Sequence, residues 1–136
     1  MNILLIEDEL SLAESAIAQM TNRGHNVLYA KDLLSANSII EREHPGIKLI
    51  LADHNLPDGM GIDFVIAMKE AYPEVNSAIV SGCLTDQDIK RLDLLKIPYF
   101  RKPLLYGKVL DHMRRLRAEK AASRPSFPAQ GKSEES

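Results

Sequence analysis

The chain has 136 residues, of which 45% are hydrophobic and 26% are charged, and its formal net charge is −2 at pH 7. This length suits one domain with a real core, and the charge argues against a general nucleic-acid binder. Cys83 is the only cysteine, which excludes an intrachain disulfide and a multi-cysteine zinc site. The N-terminus lacks a signal-peptide pattern, and no segment reaches about 20 apolar residues. We therefore expect a cytoplasmic protein with no membrane partner.

Five short apolar runs alternate with five segments that carry apolar residues at helical spacing. The predicted strands are residues 3–6, 27–30, 49–52, 78–80 and 97–100, and the predicted helices are residues 10–22, 33–44, 61–72, 85–95 and 104–120. Such alternation is typical of an α/β fold, in which helices cover both faces of a parallel sheet.

Several helix ends are marked by specific residues. Thr85 and Asp88 have the spacing of a capping box at the start of the fourth helix. Gly24 suits the end of the first helix, and Pro73 is expected to end the third.

The C-terminal part of the chain differs from the rest in composition and charge. Residues 1–100 contain 8 Lys or Arg and 15 Asp or Glu, whereas residues 101–124 contain 8 and 2. A basic helix of this kind most often has a solvated outer face, and a polyanion site is the less common alternative. We predict one domain over residues 1–120 and a flexible tail or linker over residues 121–136, which are rich in Ser, Pro and Ala.

Polar residues follow four of the five predicted strands directly. Glu7 and Asp8 follow the first strand, Asp53 the third, Ser81 the fourth and Lys102 the fifth. Ligands of parallel α/β sheets lie beyond the carboxyl ends of the strands, so these groups should meet there. Three carboxylates close together repel one another, and Mg²⁺, which prefers oxygen ligands, would neutralise them. A carboxylate beside Mg²⁺ and a lysine can attack a phosphoryl group.

Four motifs in this order resemble those of a two-component response-regulator receiver domain, similar to the stand-alone chemotaxis type. They are IED at residues 6–8, LADHNLPDGMG at 51–61, VSG at 80–82 and YFRKP at 99–103. The resemblance covers about residues 1–120. It implies a flavodoxin-like, doubly wound, five-stranded parallel sheet of strand order 2-1-3-4-5 with five helices.

The resemblance also implies a phosphoacceptor. Asp53 would receive a phosphoryl group from the phosphohistidine of a histidine kinase or phosphotransfer protein. Glu7 and Asp8 would hold Mg²⁺ together with Asp53 and the main-chain carbonyl of Asn55. Such a domain is a signalling module and catalyses only its own phosphorylation and dephosphorylation.

The same resemblance implies how the phosphorylated state is read. Ser81 and Lys102 would contact the phosphoryl oxygens, and Tyr99 would change rotamer, altering the surface of the fourth helix, fifth strand and fifth helix. The Lys102–Pro103 peptide bond is expected to be cis. A downstream protein target is implied, and a second copy of the chain is a candidate partner.

The histidines suggest no metal site. We interpret His25, His44, His54 and His112 as surface or boundary residues. His54 stands where the family has an apolar residue, and we expect it to follow the loop into solvent.

Three other functions are compatible with this architecture. The first is a pseudo-receiver that binds partners without phosphate, against which the complete acidic set and Lys102 argue. The second is a flavodoxin-like cofactor binder or small phosphatase. The chain lacks a Gly-rich phosphate loop after the first strand, where Glu7 and Asp8 would repel phosphate. The third, a DNA-binding regulator, requires an output domain after residue 136.

Overall fold

The computed structural model of the protein describes residues 1–122. The strands are β1 (Asn2–Ile6), β2 (Asn26–Ala30), β3 (Ile47–Ala52), β4 (Asn55–Leu56), β5 (Gly59–Met60), β6 (Asn76–Ser81) and β7 (Tyr99–Arg101). The helices are α1 (Leu10–Thr21), α2 (Leu33–Glu43), α3 (Gly61–Ala71), α4 (Asp86–Leu94) and α5 (Tyr106–Ala122). The predicted tail lies outside the described residues, except that α5 includes its first two positions.

One five-stranded sheet carries the fold, in the order β2-β1-β3-β6-β7 with every neighbouring pair parallel. Apart from the short β4 and β5, this is the predicted order 2-1-3-4-5, so the predicted topology is confirmed. The central strand β3 lies between β1 and β6. Any residue at its carboxyl end is therefore flanked by strand ends on both sides.

Two local features differ from the sequence prediction. The segment after Asp53 forms a short antiparallel pair, β4 with β5, in which Asn55 is opposite Met60. The last strand starts at Tyr99 instead of residue 97, because the main-chain N–H of Ile97 is bonded to the end of α4 and Pro98 has no N–H.

Alternate residues of the strands fill two separate hydrophobic cores. In β3, Leu49 and Leu51 pack with α1 and α5, whereas Ile50 and Ala52 pack with α2, α3 and α4. Burial of each large aliphatic side chain contributes about 1.5–3 kcal/mol. Main-chain pairing with β1 on one side and β6 on the other fixes the position of the last residue of β3.

The predicted helix boundaries have the expected chemistry. Thr85 accepts a hydrogen bond from the N–H of Asp88 at 3.1 Å, and the Asp88 carboxylate accepts one from the N–H of Thr85 at 3.0 Å, which confirms the capping box. Gly24 follows α1 with φ of +86°, a conformation that favours glycine. The third helix ends at Ala71, two residues before Pro73.

Helix α4 contributes the fewest buried residues to the core among the five described helices. Leu92 is its only buried residue within the described chain, whereas α1, α2, α3 and α5 each contribute three or four. A helix with so little buried apolar surface opens or moves at low cost. In the part of the chain that the structure describes, no helix is long and apolar enough to cross a membrane.

Candidate functional site

Main-chain hydrogen bonds extend the sheet by one residue and so place two carboxylates. The N–H of Asp53 donates to the carbonyl of Ile6 at 3.0 Å, and the N–H of Glu7 donates to the carbonyl of Ala30 at 3.0 Å. Ile6 and Ala52 are register partners in β1 and β3. Glu7 and Asp53 therefore leave neighbouring strands at the same level and lie at one edge of the sheet.

The structure brings Glu7, Asp8 and Asp53 together as the sequence predicts. One carboxylate oxygen from each lies within 4.8 Å of the others, and Glu7 is buried whereas Asp8 is exposed. In octahedral Mg²⁺ with oxygens at about 2.1 Å, opposite ligands are about 4.2 Å apart and adjacent ones about 3 Å, and of three ligands at most one pair is opposite. The three carboxylates would therefore have to move closer together to bind one magnesium ion.

Lys102 joins two members of this group. Its Nζ donates hydrogen bonds to Glu7 Oε1 and to Asp53 Oδ2, the latter at 3.1 Å. The Lys102, Asp53 and Glu7 side chains are only 19%, 14% and 3% exposed. One ammonium thus partly neutralises two carboxylates in a site from which most solvent is excluded, where charge interactions are strong.

Burial and charge have opposite effects on the pKa of Glu7 and on the pKa of Lys102. Burial raises the pKa of Glu7 above 4.5, and the hydrogen bond from Lys102 offsets only part of that rise. Burial alone would lower the pKa of Lys102, but its hydrogen bonds and charge interactions with Glu7 and Asp53 prevail and raise it above 10.5. Lys102 is therefore a permanent cation at neutral pH.

The second carboxylate oxygen of Asp53 accepts a hydrogen bond from the main chain. The N–H of His54 donates to Asp53 Oδ1 at 2.7 Å, so each carboxylate oxygen has one donor. The loop then returns over the site, where the N–H of Gly61 donates to the carbonyl of His54 at 2.7 Å. A Cβ at Gly61 would lie 1.9 Å from the Asp53 carbonyl oxygen, so only glycine fits this approach.

The other predicted site residues surround this centre. Ser81 is buried at the end of β6, where its Oγ accepts a hydrogen bond from the N–H of Cys83 at 3.3 Å. The N–H of Lys102 donates to the Ser81 carbonyl at 3.2 Å, and the Lys102–Pro103 bond is cis. Tyr99 is half-buried at the start of β7. Within residues 1–122, neither Tyr99 nor the exposed Asn55 makes a hydrogen bond to the acidic group or to Lys102.

The chain is similar in sequence to known transcriptional regulators. The transcriptional regulatory protein DpiA of Escherichia coli strain K12 is 32% identical to this chain over 125 residues. That match covers 88% of this chain and 54% of DpiA, so the chain spans about half the length of this curated relative. No protein-family model matches the chain.

Solved structures share the whole fold. A CheY-like response regulator receiver domain protein from Methanospirillum hungatei JF-1 gives a TM-score of 0.79 at 19% identity, over 90% of this chain and 98% of that one. A chain of the CheX-CheY-BeF3-Mg²⁺ complex from Borrelia burgdorferi gives 0.77 at 21% identity, over 86% and 89%. The chain has the fold of response-regulator receiver domains. The resemblance carried by the four sequence motifs is thereby confirmed; the stand-alone form stays a prediction.

The position of His54 in this receiver domain was predicted wrongly. The side chain is buried, with 4% of the residue exposed, and does not follow the loop into solvent. Its Nε2 lies 3.6 Å from Asp88 Oδ2 of α4, and its Nδ1 has no hydrogen-bond partner among residues 1–122. The turn of β4 and β5 directs the main chain outward but leaves this side chain inside, beneath the start of α4.

Two tyrosines of the receiver domain were not predicted as neighbours of the site. Tyr29 lies far from the four motifs, and Tyr106 follows the last motif but carries no pattern of its own. Tyr29 donates its hydroxyl to the Glu7 carbonyl at 2.7 Å, and burial raises its pKa. Tyr106 begins α5 and is buried, which raises its pKa to about 12. Both phenols therefore stay neutral at physiological pH and supply no negative charge to the acidic site.

Proposed function

We propose that this receiver domain is a phosphoacceptor, in which Asp53 takes a phosphoryl group from the phosphohistidine of a histidine kinase or phosphotransfer protein. One observation carries the proposal. Three carboxylates and one lysine occupy the same edge of the sheet, with Asp53 at the end of its central strand.

The transfer is a displacement at phosphorus. An oxygen of the Asp53 carboxylate forms a bond to phosphorus, the phosphorus–nitrogen bond breaks, and the released imidazole takes one proton from solvent. The product is an acyl phosphate on Asp53. Asp53 is suited to this attack because it is 14% exposed and stands outside the buried part of β3. The protein thus catalyses only its own phosphorylation and, with water, its own dephosphorylation.

The surrounding residues would bind the transferred group by charge. Lys102 already lies 3.1 Å from Asp53 Oδ2 and would contact one phosphoryl oxygen. The Ser81 hydroxyl, at the end of the adjacent strand, would contact another. Glu7, Asp8 and Asp53, with the Asn55 carbonyl, would hold Mg²⁺, which supplies charge neutralisation of the phosphoryl oxygens.

Phosphorylation would change the surface formed by α4, β7 and α5, and a partner would recognise that change. A phosphoryl group adds roughly −1.5 to −2 charges and three acceptor oxygens. Ser81 moving toward these oxygens would leave room that Tyr99 fills from outside. The weak anchoring of α4 by Leu92 alone supports a movable element there. The partners are a histidine kinase and a downstream protein, with a second copy as a candidate and no direct nucleic-acid contact.

The test is incubation with acetyl phosphate, with and without Mg²⁺, followed by intact mass measurement. We expect the mass of one phosphoryl group to be gained only with Mg²⁺. Asp53→Asn should abolish the gain, whereas Asp63→Asn, at an exposed carboxylate of α3 paired with Arg91, should not.

Two other results of this experiment would argue against Asp53 as the phosphoacceptor. No gain with acetyl phosphate or with a phosphohistidine donor would contradict the proposal and favour a domain that binds partners without phosphate. A gain that survives Asp53→Asn would place the modification on another residue.

A further inference from the structure

A groove opens at the edge of the sheet opposite the acidic site. It has a volume of about 450 Å³, within the roughly 300–1,000 Å³ of small-molecule sites. The groove lies among the end of α3, the start of β6, the segment after α4 and the last turns of α5. We call it the β6 groove; it is lined in part by Lys69, Val75, Ser77, Lys96, Ile97 and Leu116.

The shortness of β7 creates the β6 groove. Strand β6 begins at Asn76, but its pairing with β7 starts only at Ile79 opposite Tyr99. Residues 76–78 therefore have no β7 residue beside them. A ligand in the groove would lie against a strand edge that no other described strand covers.

The walls of the β6 groove combine an apolar floor with a cationic rim. The floor includes the buried Val75 and Ile97. Lys69, Lys96 and Lys120 line the rim, against one acid, Glu119. The Lys69 ammonium donates to the Leu95 carbonyl, which leaves two further N–H donors on the same nitrogen. The excess of ammonium groups complements a ligand that carries a negative charge.

A hydroxyl in the β6 groove lacks a partner. Ser77 lines the groove, and its Oγ is buried with no hydrogen-bond partner among residues 1–122. A buried hydroxyl without a partner costs free energy, so such groups normally find one. Because this Oγ is closed off from solvent, a ligand could accept from it only after the Ser77 side chain rotates toward the groove.

The backbone at Lys96 ends α4. Lys96 has φ of +58°, and it is the only residue other than glycine with positive φ in the described chain. The N–H groups of Lys96 and Ile97 donate to the carbonyls of Asp93 and Leu92 at 3.1 and 2.9 Å, which is a common way to end a helix. Glycine is usual at this position, so Lys96→Gly removes the side chain without straining the backbone.

We propose that the β6 groove binds a small amphipathic carboxylate, whose apolar part packs on Val75 and Ile97 and whose charge meets Lys96 and Lys69. The site is separate from the proposed phosphoacceptor. It therefore does not depend on Asp53 chemistry.

The test uses 4-phenylbutyrate as the probe and follows backbone amide signals of the full chain by NMR. We expect saturable shifts at Ser77, Lys96 and Ile97 at concentrations up to about 10 mM, a range in which weak affinities are measurable. The neutral analogue 4-phenylbutan-1-ol, with the same apolar part, should bind roughly threefold to tenfold more weakly.

The decisive variant is Lys96→Gly. It removes the ammonium and relieves the positive φ, so the fold should be at least as stable, and weaker binding cannot be attributed to unfolding. We expect affinity to fall roughly threefold or more. Lys90→Ala, at a lysine of α4 outside the groove, should leave affinity unchanged.

Three results would each overturn the proposal. They are no saturable binding of 4-phenylbutyrate, equal affinity for the alcohol, and equal affinity in Lys96→Gly. Shifts confined to the acidic edge of the sheet would also overturn it, because they would place the ligand at the other site.

Discussion

His54 and Asp88 connect the end of β3 to the first turn of α4. The imidazole Nε2 lies 3.6 Å from Asp88 Oδ2, and that carboxylate is also the capping partner of Thr85. The main-chain N–H of His54 donates to Asp53 Oδ1. One residue thus touches the proposed phosphorylation site through its backbone and the least anchored helix through its side chain.

We predict that His54→Leu separates phosphorylation from the response of α4. The backbone donor to Asp53 remains, so phosphoryl uptake should persist, and a side chain of similar volume should change stability by less than about 1.5 kcal/mol. The amide shift changes that phosphorylation causes at Thr85 and Asp88 should shrink. NMR spectra before and after acetyl phosphate measure them. His25→Leu, just before β2 and outside the α4–β7–α5 side, is the control, and equal responses in both variants would contradict the prediction.

We predict that Lys102→Met destabilises the fold in the absence of Mg²⁺. Removal of the ammonium leaves the buried Glu7 carboxylate beside Asp53 with no lysine to neutralise either. Loss of one partner from such a site should lower the free energy of unfolding by about 2–4 kcal/mol, measured by urea denaturation.

The control for this variant is Lys90→Met, at an exposed lysine of α4, which should change stability by less than about 0.5 kcal/mol. Mg²⁺ should restore part of the stability of Lys102→Met, because the ion neutralises the same carboxylates. A loss equal to that of the control would show that the two ion pairs contribute nothing.

We predict a large difference between two glycine substitutions. An alanine Cβ at Gly61 would lie 1.9 Å from the Asp53 carbonyl oxygen, which requires the backbone to move, whereas at Gly82 the nearest atom is 3.9 Å away. Gly61→Ala should therefore cost more than about 3 kcal/mol and Gly82→Ala no more than about 1 kcal/mol. Urea unfolding of both variants measures this. Similar costs would show that the loop relaxes freely.

We predict that Asp32 contributes to the acid sensitivity of the fold. Asp32 caps α2 by accepting from the N–H of Ser35 at 2.8 Å, and its hydrogen bonds with Ser35 lower its pKa below 3.8. Between the native and unfolded pKa values the unfolded chain binds more protons. The stabilisation is therefore fully present above pH 3.8 and is lost as the pH falls through the native pKa.

Asp32→Asn keeps the cap acceptor but does not titrate. The free energy of unfolding, measured by urea from about pH 6 to about pH 3, should therefore fall less steeply than in the wild type. Asp32→Ala should show the same shallow slope and lower stability at neutral pH, because the cap itself is lost. Asp58, which accepts from the N–H groups of Leu33 and Leu34, remains in both variants. An unchanged slope in Asp32→Asn would contradict the prediction.

Local chemistry explains why much of this receiver domain was predictable. The alternation of strands and helices follows from hydrophobic periodicity, and the Thr85–Asp88 capping box follows from neighbours in the chain. The convergence of Glu7, Asp8, Asp53 and Lys102 was also predictable, because the ends of parallel strands always share one edge.

The sequence by itself therefore predicted the alternation of strands and helices and the acidic group with its lysine, whereas the strand order was implied by the resemblance of its motifs to a known family. Only the tertiary structure decided where His54 points, that Tyr29 and Tyr106 border the site, and that the short β7 opens the β6 groove. The physical reason is distance along the chain. Hydrophobic periodicity and helix capping depend on residues a few positions apart in the chain. The three features above depend instead on how segments far apart in the chain pack together, and no local pattern predicts that packing.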